Sequence, residues 1–247
     1  MTEKTDIMYK ASAWVQSVWQ NAQSNWASRE GQDRAYRVHV IIPAVCRLLA
    51  GYFPGKNIDI LELGCGDGAL LESDDFQRLF GDDGFYHGVD IAEPLLKSAR
   101  KKHTARNITF QQGNIADPSL ADTVESRYKN ADAVVSVFMI QEVPNLDVYM
   151  RNLSRLTSPG ALTVTVSVHP DFADWLAREN RLPIEKQLGG DAEFTIFQWR
   201  WAGSYPIVEE VHGTFYLPHF QRTAEDHKMY LERYGFSVER IIDLPEP

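Results

Sequence analysis

The sequence predicts an α/β fold: a single domain built on a doubly wound, mostly parallel sheet of seven strands. Three observations carry this. Ile58, Ile60, Leu61 and Leu63 form a short apolar run, which suits a strand buried on both faces of a parallel sheet. A glycine-rich turn and a helical stretch follow it directly. From there to residue 168, strand-length apolar runs alternate with stretches of helical spacing, joined by short connections.

Composition agrees with a globular enzyme-sized domain. Hydrophobic residues make up 44% and charged residues 24%, the balance of an ordinary folded chain. A length of 247 residues allows one large core with a cap. The net charge of −9 argues against a nucleic-acid partner, because phosphate binding needs a basic face. Two cysteines, Cys46 and Cys65, imply no disulfide framework, which fits a cytoplasmic protein. The opening M-T-E-K-T-D has no apolar signal core, and no run reaches the ~18 apolar residues of a membrane span, so no membrane partner is expected. Nothing in the composition sets an oligomeric state.

The elements follow in order. Residues 7 to 26 read as an amphipathic helix, with Ala11, Val15, Val18 and Ala22 at helical spacing beside Trp14, Trp19 and Trp26. A second helical stretch begins at Arg34, and Pro43 kinks it or starts a new helix. These helices precede the first core strand, so residues 1–55 are expected to form an N-terminal helical lid. Residues 56–169 form the core. Its further strands are expected at Phe85–Asp90, Ile108–Gln112, Ala131–Phe138 and Ala161–Val168, with helices to Phe80, from Pro94 to Lys102, from Pro118 to Tyr128, and through Leu146–Leu156. The alternation then stops. Residues 170–222 read as a cap insert after strand five, with a helix near Phe172, a loop through Gly189-Gly190 and two extended stretches, 194–201 and 207–217. Thr223 to Asp226 resembles a capping box, and residues 223–247 are expected to supply a last helix and a strand, 236–244, that completes the sheet.

The stretch N-I-D-I-L-E-L-G-C-G-D-G-A-L-L at 57–71 organises the chain. Glycines let the backbone turn sharply and approach a ligand without Cβ atoms in the way. Two ligands fit. Gly64, Gly66 and Ala69 satisfy the dinucleotide pattern G-x-G-x-x-G/A, with Asp90 about 20 residues on, so an NAD-dependent oxidoreductase stands as an alternative. The other ligand is S-adenosylmethionine, and Glu62 favours it. A carboxylate repels a pyrophosphate but attracts a sulfonium and an ammonium. A cofactor-binding protein without turnover is a third alternative.

The string E-L-G-C-G-D-G resembles the first motif of class I S-adenosylmethionine-dependent methyltransferases, and later segments extend the likeness. H-G-V-D-I-A-E-P-L-L, G-N-I and L-T-S-P-G-A are similar to the family's blocks after strands two, three and before strand five. R-V-H-V-I-I-P-A-V-C-R-L-L and P-H-F-Q-R-T-A-E-D-H resemble segments of its small-molecule subgroup. The resemblance implies a Rossmann-like core whose cofactor site draws on Glu62, Gly64, Cys65, Gly66 and Gly68. Asp90 and Ile91 would meet the ribose, and Asn114 and Ile115 the adenine. Ser136 and Val137 at the end of strand four are also carried over. Arg37, or Arg34, is placed to meet the methionine carboxylate through a forked contact. Asn114 replaces the family's usual acid, and Ala161 its second glycine. Strand four ends in Ser136-Val137-Phe138-Met139, without the (D/N)-P-P-(Y/F) clamp of adenine-methylating enzymes. No cluster of Asp, Asn and His points to a metal, and none is expected.

A sulfonium methyl is already activated, so in-line positioning supplies much of the rate. A hydroxyl or protonated nitrogen nucleophile also benefits from a base. The candidates are His219, His169, His212 and Glu142. Each has a plainer reading: His169 ends a strand, His212 faces solvent, Glu142 caps the next helix. All six tryptophans lie outside the core. Tyr9, Trp14, Phe138, Trp199 and Trp201 are expected to form aromatic walls for a flat acceptor. The function predicted is methyl transfer to O or N of a small aromatic or heteroaromatic molecule, in secondary metabolism.

Overall fold

A computed structural model describes residues 37–167, 184–189, 192–200, 214–220 and 222–244; for 184–220 it describes backbone alone. Its centre is a parallel sheet of β1 (Ile60–Leu63), β2 (Tyr86–Asp90), β3 (Ile108–Gln112), β4 (Ala133–Val137) and β5 (Leu162–Val166). The order is β3-β2-β1-β4-β5, so the winding reverses between β1 and β4. A crevice opens at such a reversal, beyond the carboxyl ends of the strands.

All four residues of β1 are buried, which explains why the apolar run is continuous and not alternating. Ile60 packs with Tyr86, Ala133, Val135 and Val164 under α1 (Ile42–Tyr52) and α2 (Asp74–Phe80). Leu61 and Leu63 pack on the opposite face with Val89, Val134 and α5 (Leu146–Leu156). Each fully buried Leu or Ile contributes about 1.5–3 kcal/mol, so the two layers together fix the strand. Pro43 lies in the first turn of α1, where its missing N–H costs nothing. A π-turn, Arg37–Ile41, leads into that helix. Ser73 and Asn145 cap α2 and α5 by accepting from Phe76 N and Val148 N. α3 (Glu93–Lys102) lies along β3, and the 118–128 stretch divides into a short α4 (Leu120–Thr123) and a 3-10 turn, Ser126–Asn130.

The helix expected straight after the glycine turn is a 3-10 turn, Ala69–Glu72, followed by the separate helix α2. The sheet has five strands among the described residues, not seven. α6 (Ala224–Arg233) begins at the expected capping box, with Thr223 and Asp226 bonding each other's backbone. Residues 236–244 are described but form no strand. The reason is visible in their burial. A paired strand hides alternate positions, whereas the neighbours Ile241 and Ile242 are both about half exposed, at 53% and 48%.

The extended segments after β5 form a separate antiparallel sheet: β6 (Ile184–Gly189), β7 (Ala192–Arg200) and β8 (Thr214–Phe220). Gly189, expected in a loop, instead ends β6 and pairs with Ala192 of β7. β8 runs against the turn that follows β4. The helices expected at 7–26 and near Phe172 lie outside the described residues. No helix among those described is long and apolar enough to cross a membrane.

Candidate active site

The glycine turn after β1 is tied to the end of β2. Gly64 N and Cys65 N both donate to Val89 O, at 2.8 and 3.2 Å. Gly66 N donates to Asp90 Oδ2 and Ala92 N to Asp90 Oδ1, each at 2.8 Å. Gly64, Gly66 and Gly68 have φ of 78°, 55° and 81°, the left-handed region that a side chain makes costly. The space above them differs. A Cβ on Gly66 would meet only Leu95, at 3.9 Å, so that face of the turn is open to a ligand. A Cβ on Gly64 would lie 2.6 Å from Met139 Cγ, in the turn after β4. Gly68 faces away, toward His103 on the far side of the loop.

Asp90 closes one side of the groove. Its two oxygens already brace the turn, and a carboxylate has lone pairs left for a vicinal diol. Burial pushes its carboxyl upward, against the pull of the N–H groups of Ala92 and Gly66. Asn114 and Ile115 follow β3, and Ile91 follows β2; all three line the groove. Asn114 Oδ1 accepts from Ala116 N at 2.9 Å, which fixes the amide. Cys65 lines the groove through its backbone, because its thiol is buried beneath Gly88. Burial, with Asp90 and Glu62 nearby, holds that thiol well above the ordinary range, which favours its protonated form.

Glu62 is 3% exposed, and its Oε2 accepts from the Tyr86 hydroxyl. Burial pushes it up to about 8; the Tyr86 bond and Arg37 oppose the shift, and Asp90 and Asp67 add to it. Arg37 lies in the π-turn on the same groove wall, with its Nε buried and without a hydrogen-bond partner. Its guanidinium carbon lies 6.0 Å from the centre of the Phe138 ring. Phe138 is the first residue after β4, with φ of 54°, and is the one non-glycine residue at positive φ among those described. Gln141 Nε2 donates back to Phe138 O, and Arg222 donates to Ile140 O and Val143 O, at 3.3 and 2.7 Å.

The sequence candidates separate clearly. Glu62, Gly64, Cys65, Gly66, Asp90, Ile91, Asn114, Ile115, Val137, Arg37 and, on the far wall, Phe138 and Glu142 are brought to one groove. Ser136 is not. It is buried one residue out of phase with Val137, on the α5 face with Val134. Glu142 does not cap α5, since Asn145 does. His219 stands in β8 opposite Thr195, and Trp199 in β7 opposite Phe215; these positions share a face of the small sheet. Tyr9, Trp14, His169 and Trp201 lie outside the described residues, as do Arg34 and His212. Sequence reasoning missed Tyr86, Arg222 and His227. Tyr86 is an aromatic residue two positions behind Glu62 in strand register, which only the pairing of Ile60 with Tyr86 reveals. Arg222 directly precedes the capping box, and His227 lines the groove from the first turn of α6.

The geometry fits S-adenosylmethionine: an open glycine surface, a braced diol acceptor, and a buried acid and arginine at the amino-acid end. Comparisons with known proteins agree. The family described as "Methyltransferase domain" matches residues 54–202, more than half of the chain. A fatty-acid O-methyltransferase of Mycolicibacterium smegmatis is 28% identical over 123 residues, 49% of this chain and 41% of the relative. A malonyl-[acyl-carrier protein] O-methyltransferase of Bacillus cereus is 28% identical over 138 residues, 56% of this chain and 48% of the relative. The chain thus spans less than half the length of either. The CcbJ methyltransferase structure from Streptomyces caelestis superposes with a TM-score of 0.57 at 16% identity, covering 89% of this chain and 87% of that one, which supports the fold. Motif, groove and family match converge: the chain belongs to the methyltransferase domain family.

Proposed function

We propose that the protein transfers the methyl group of S-adenosylmethionine to an oxygen atom of a small, largely apolar acceptor with a flat ring, in a biosynthetic pathway. The observation that carries this is the wall after β4. Phe138, Met139 and Ile140 present an apolar surface beyond Val137, and Phe138 holds a left-handed backbone to do so. Strain of that kind, about 1–3 kcal/mol, persists where surrounding structure over-determines it, which is common at functional sites. The relatives named above act on oxygen, which supports O over N.

The cofactor supplies an activated methyl group. The residues of this chain bind and orient it. Asp90 would accept from the ribose, Ile91 and Ile115 would flank the adenine, and Asn114 would meet its edge. Arg37 would pair with the carboxylate and Glu62 with the ammonium. Phe138 and the turn behind it exclude water and set the approach of the acceptor. Glu142 is proposed as a base within this wall, with His219 and His169 as further candidates from the cap. Trp199, Trp201, Tyr9 and Trp14 are proposed to complete the acceptor pocket.

The test is transfer from S-adenosylmethionine labelled in its methyl group, across phenols, carboxylic acids and amines. Label in an alkali-stable ether of a phenol is the expected result. Alkali-labile label would mark an ester and a carboxylate acceptor, and label in an amine would overturn O-transfer. A thermal shift with S-adenosylhomocysteine but none with NAD is expected in parallel.

A further inference from the structure

Glu62 and Asp90 flank the same glycine turn and are held in different ways. Asp90 is held by two backbone N–H groups, which favour a carboxylate. Glu62 accepts from one donor, the Tyr86 phenol, which opposes but does not outweigh the burial that favours the neutral form. Tyr86 is fully buried and wedged among Phe76, Phe80 and Phe110, with ring centres 5.9 to 6.2 Å away. These rings pack around it, and its hydroxyl meets Glu62. Across the sheet Glu62 faces Val135 of β4 and Gly88 of β2, which bring no charge. The ionisable groups around it are Arg37 from the π-turn, Cys65 and Asp67 from the glycine turn, and Tyr86 and Asp90 from β2. Among the described residues, one cation thus stands against two further acids around this buried carboxyl.

We propose that Glu62, oriented by Tyr86, carries a proton until the cofactor arrives, and releases it to solvent as the cofactor's ammonium seats against the carboxylate. The inference rests on the cofactor-binding reading of the groove. The exchange balances: the O–H bond of Glu62 breaks, its proton passes to buffer, and an ammonium takes its place. At the carboxyl one positive charge replaces another, so binding leaves neither the carboxylate nor the ammonium unpaired in a low-dielectric wall. Tyr86 is then a positioning residue, and its hydroxyl keeps the carboxyl turned to the groove in both states.

The sign of the linkage follows. Burial holds Glu62 at about 8 before binding, and an adjacent cation lowers it. Between the bound and free values the complex holds one proton fewer, so affinity rises with pH, up to tenfold per pH unit, and levels off above about pH 8.

The experiment is calorimetry of S-adenosylhomocysteine binding to the full chain at pH 7, in buffers of different ionisation enthalpy. The expected result is a heat that depends on buffer and reports close to one proton released per ligand. Methylthioadenosine, which lacks the amino acid, should bind without release. Glu62→Gln should abolish release and flatten the pH dependence; release that persists in this variant would come from the ligand's own amine and would overturn the proposal. Tyr86→Phe should bind with a shifted pH window. S-adenosylhomocysteine that binds with the same heat in every buffer overturns the proton exchange and leaves the cofactor reading standing. Absence of binding in any buffer overturns both. If Glu62→Gln does not fold, the buffer series on the unaltered chain decides.

Discussion

The chain leaves β1 and β4 by the same left-handed bend, with glycine at one strand and phenylalanine at the other. Gly64 and Phe138 are each the first residue after their strand, at φ of 78° and 54°. Glycine adopts that conformation at little steric cost, whereas a side chain costs about 1–2 kcal/mol. In the proposed reading the difference reflects what each turn shows to a ligand. After β1 the backbone itself would be the binding surface, where a side chain would fill the ligand's place. After β4 the side chain would be the binding surface, and its turn is braced by Gln141 and Arg222.

The sharpest way to break this contrast is Gly66→Val. The added atoms find open space near Leu95, so the protein should fold, with a loss of about 1–3 kcal/mol from the branched residue at positive φ. S-adenosylhomocysteine affinity should fall at least about a hundredfold, roughly 2.7 kcal/mol. Folded protein with unchanged affinity, measured by calorimetry, would show that the open face is not the cofactor's.

Phe138→Gly makes the second turn like the first. Relief of about 1–2 kcal/mol of backbone strain offsets the loss of a partly buried ring, so the melting temperature should move by only a few degrees. Adenosylhomocysteine affinity should stay within about threefold. Methyl transfer should drop at least about tenfold, or about 1.4 kcal/mol in the barrier. A variant that keeps full turnover would refute the acceptor-wall assignment.

The smallest effect concerns the brace. Burial holds His227 at about 4, Arg222 nearby lowers it further, and Asp226 opposes. A histidine lowered in the folded state contributes stability that is present above its ordinary value of 6.5 and is lost as pH falls through about 4. His227→Gln should flatten the drop in melting temperature between pH 6.5 and 4 and leave the value at pH 8 nearly unchanged. An equal drop in both proteins would remove His227 from the acid response.

What could be read from the sequence follows the same division. Glu62, the glycines and Asp90 were legible because the groups sit in consecutive residues at strand ends. Tyr86 was not, because its contact with Glu62 depends on how β2 registers against β1. Ser136 was placed in the site although it is one position out of phase with Val137, and a period of two sends neighbours to opposite faces. Nothing in Val137-Phe138-Met139 announces a left-handed backbone, since no glycine marks it. The final stretch, with Phe236, Val238 and the Ile241-Ile242 pair, has strand-like composition, but its pattern cannot reveal that both isoleucines stay exposed.

The contact between Gly64 and Met139 ties the histories of the two turns together. Met139 Cβ and Cγ occupy the space that a side chain at 64 would need, at 2.7 and 2.6 Å. A change at either position is therefore judged against the residue at the other, and the order of substitution matters. A shorter residue at 139 would have to come first for any larger residue at 64 to be tolerated. Directed evolution of acceptor preference by randomising 138–142 will meet this epistasis as a filter, in which a β-branched residue at 139 pushes the cofactor turn out of place. Libraries that vary position 139 should carry 64 as glycine and score cofactor affinity alongside turnover.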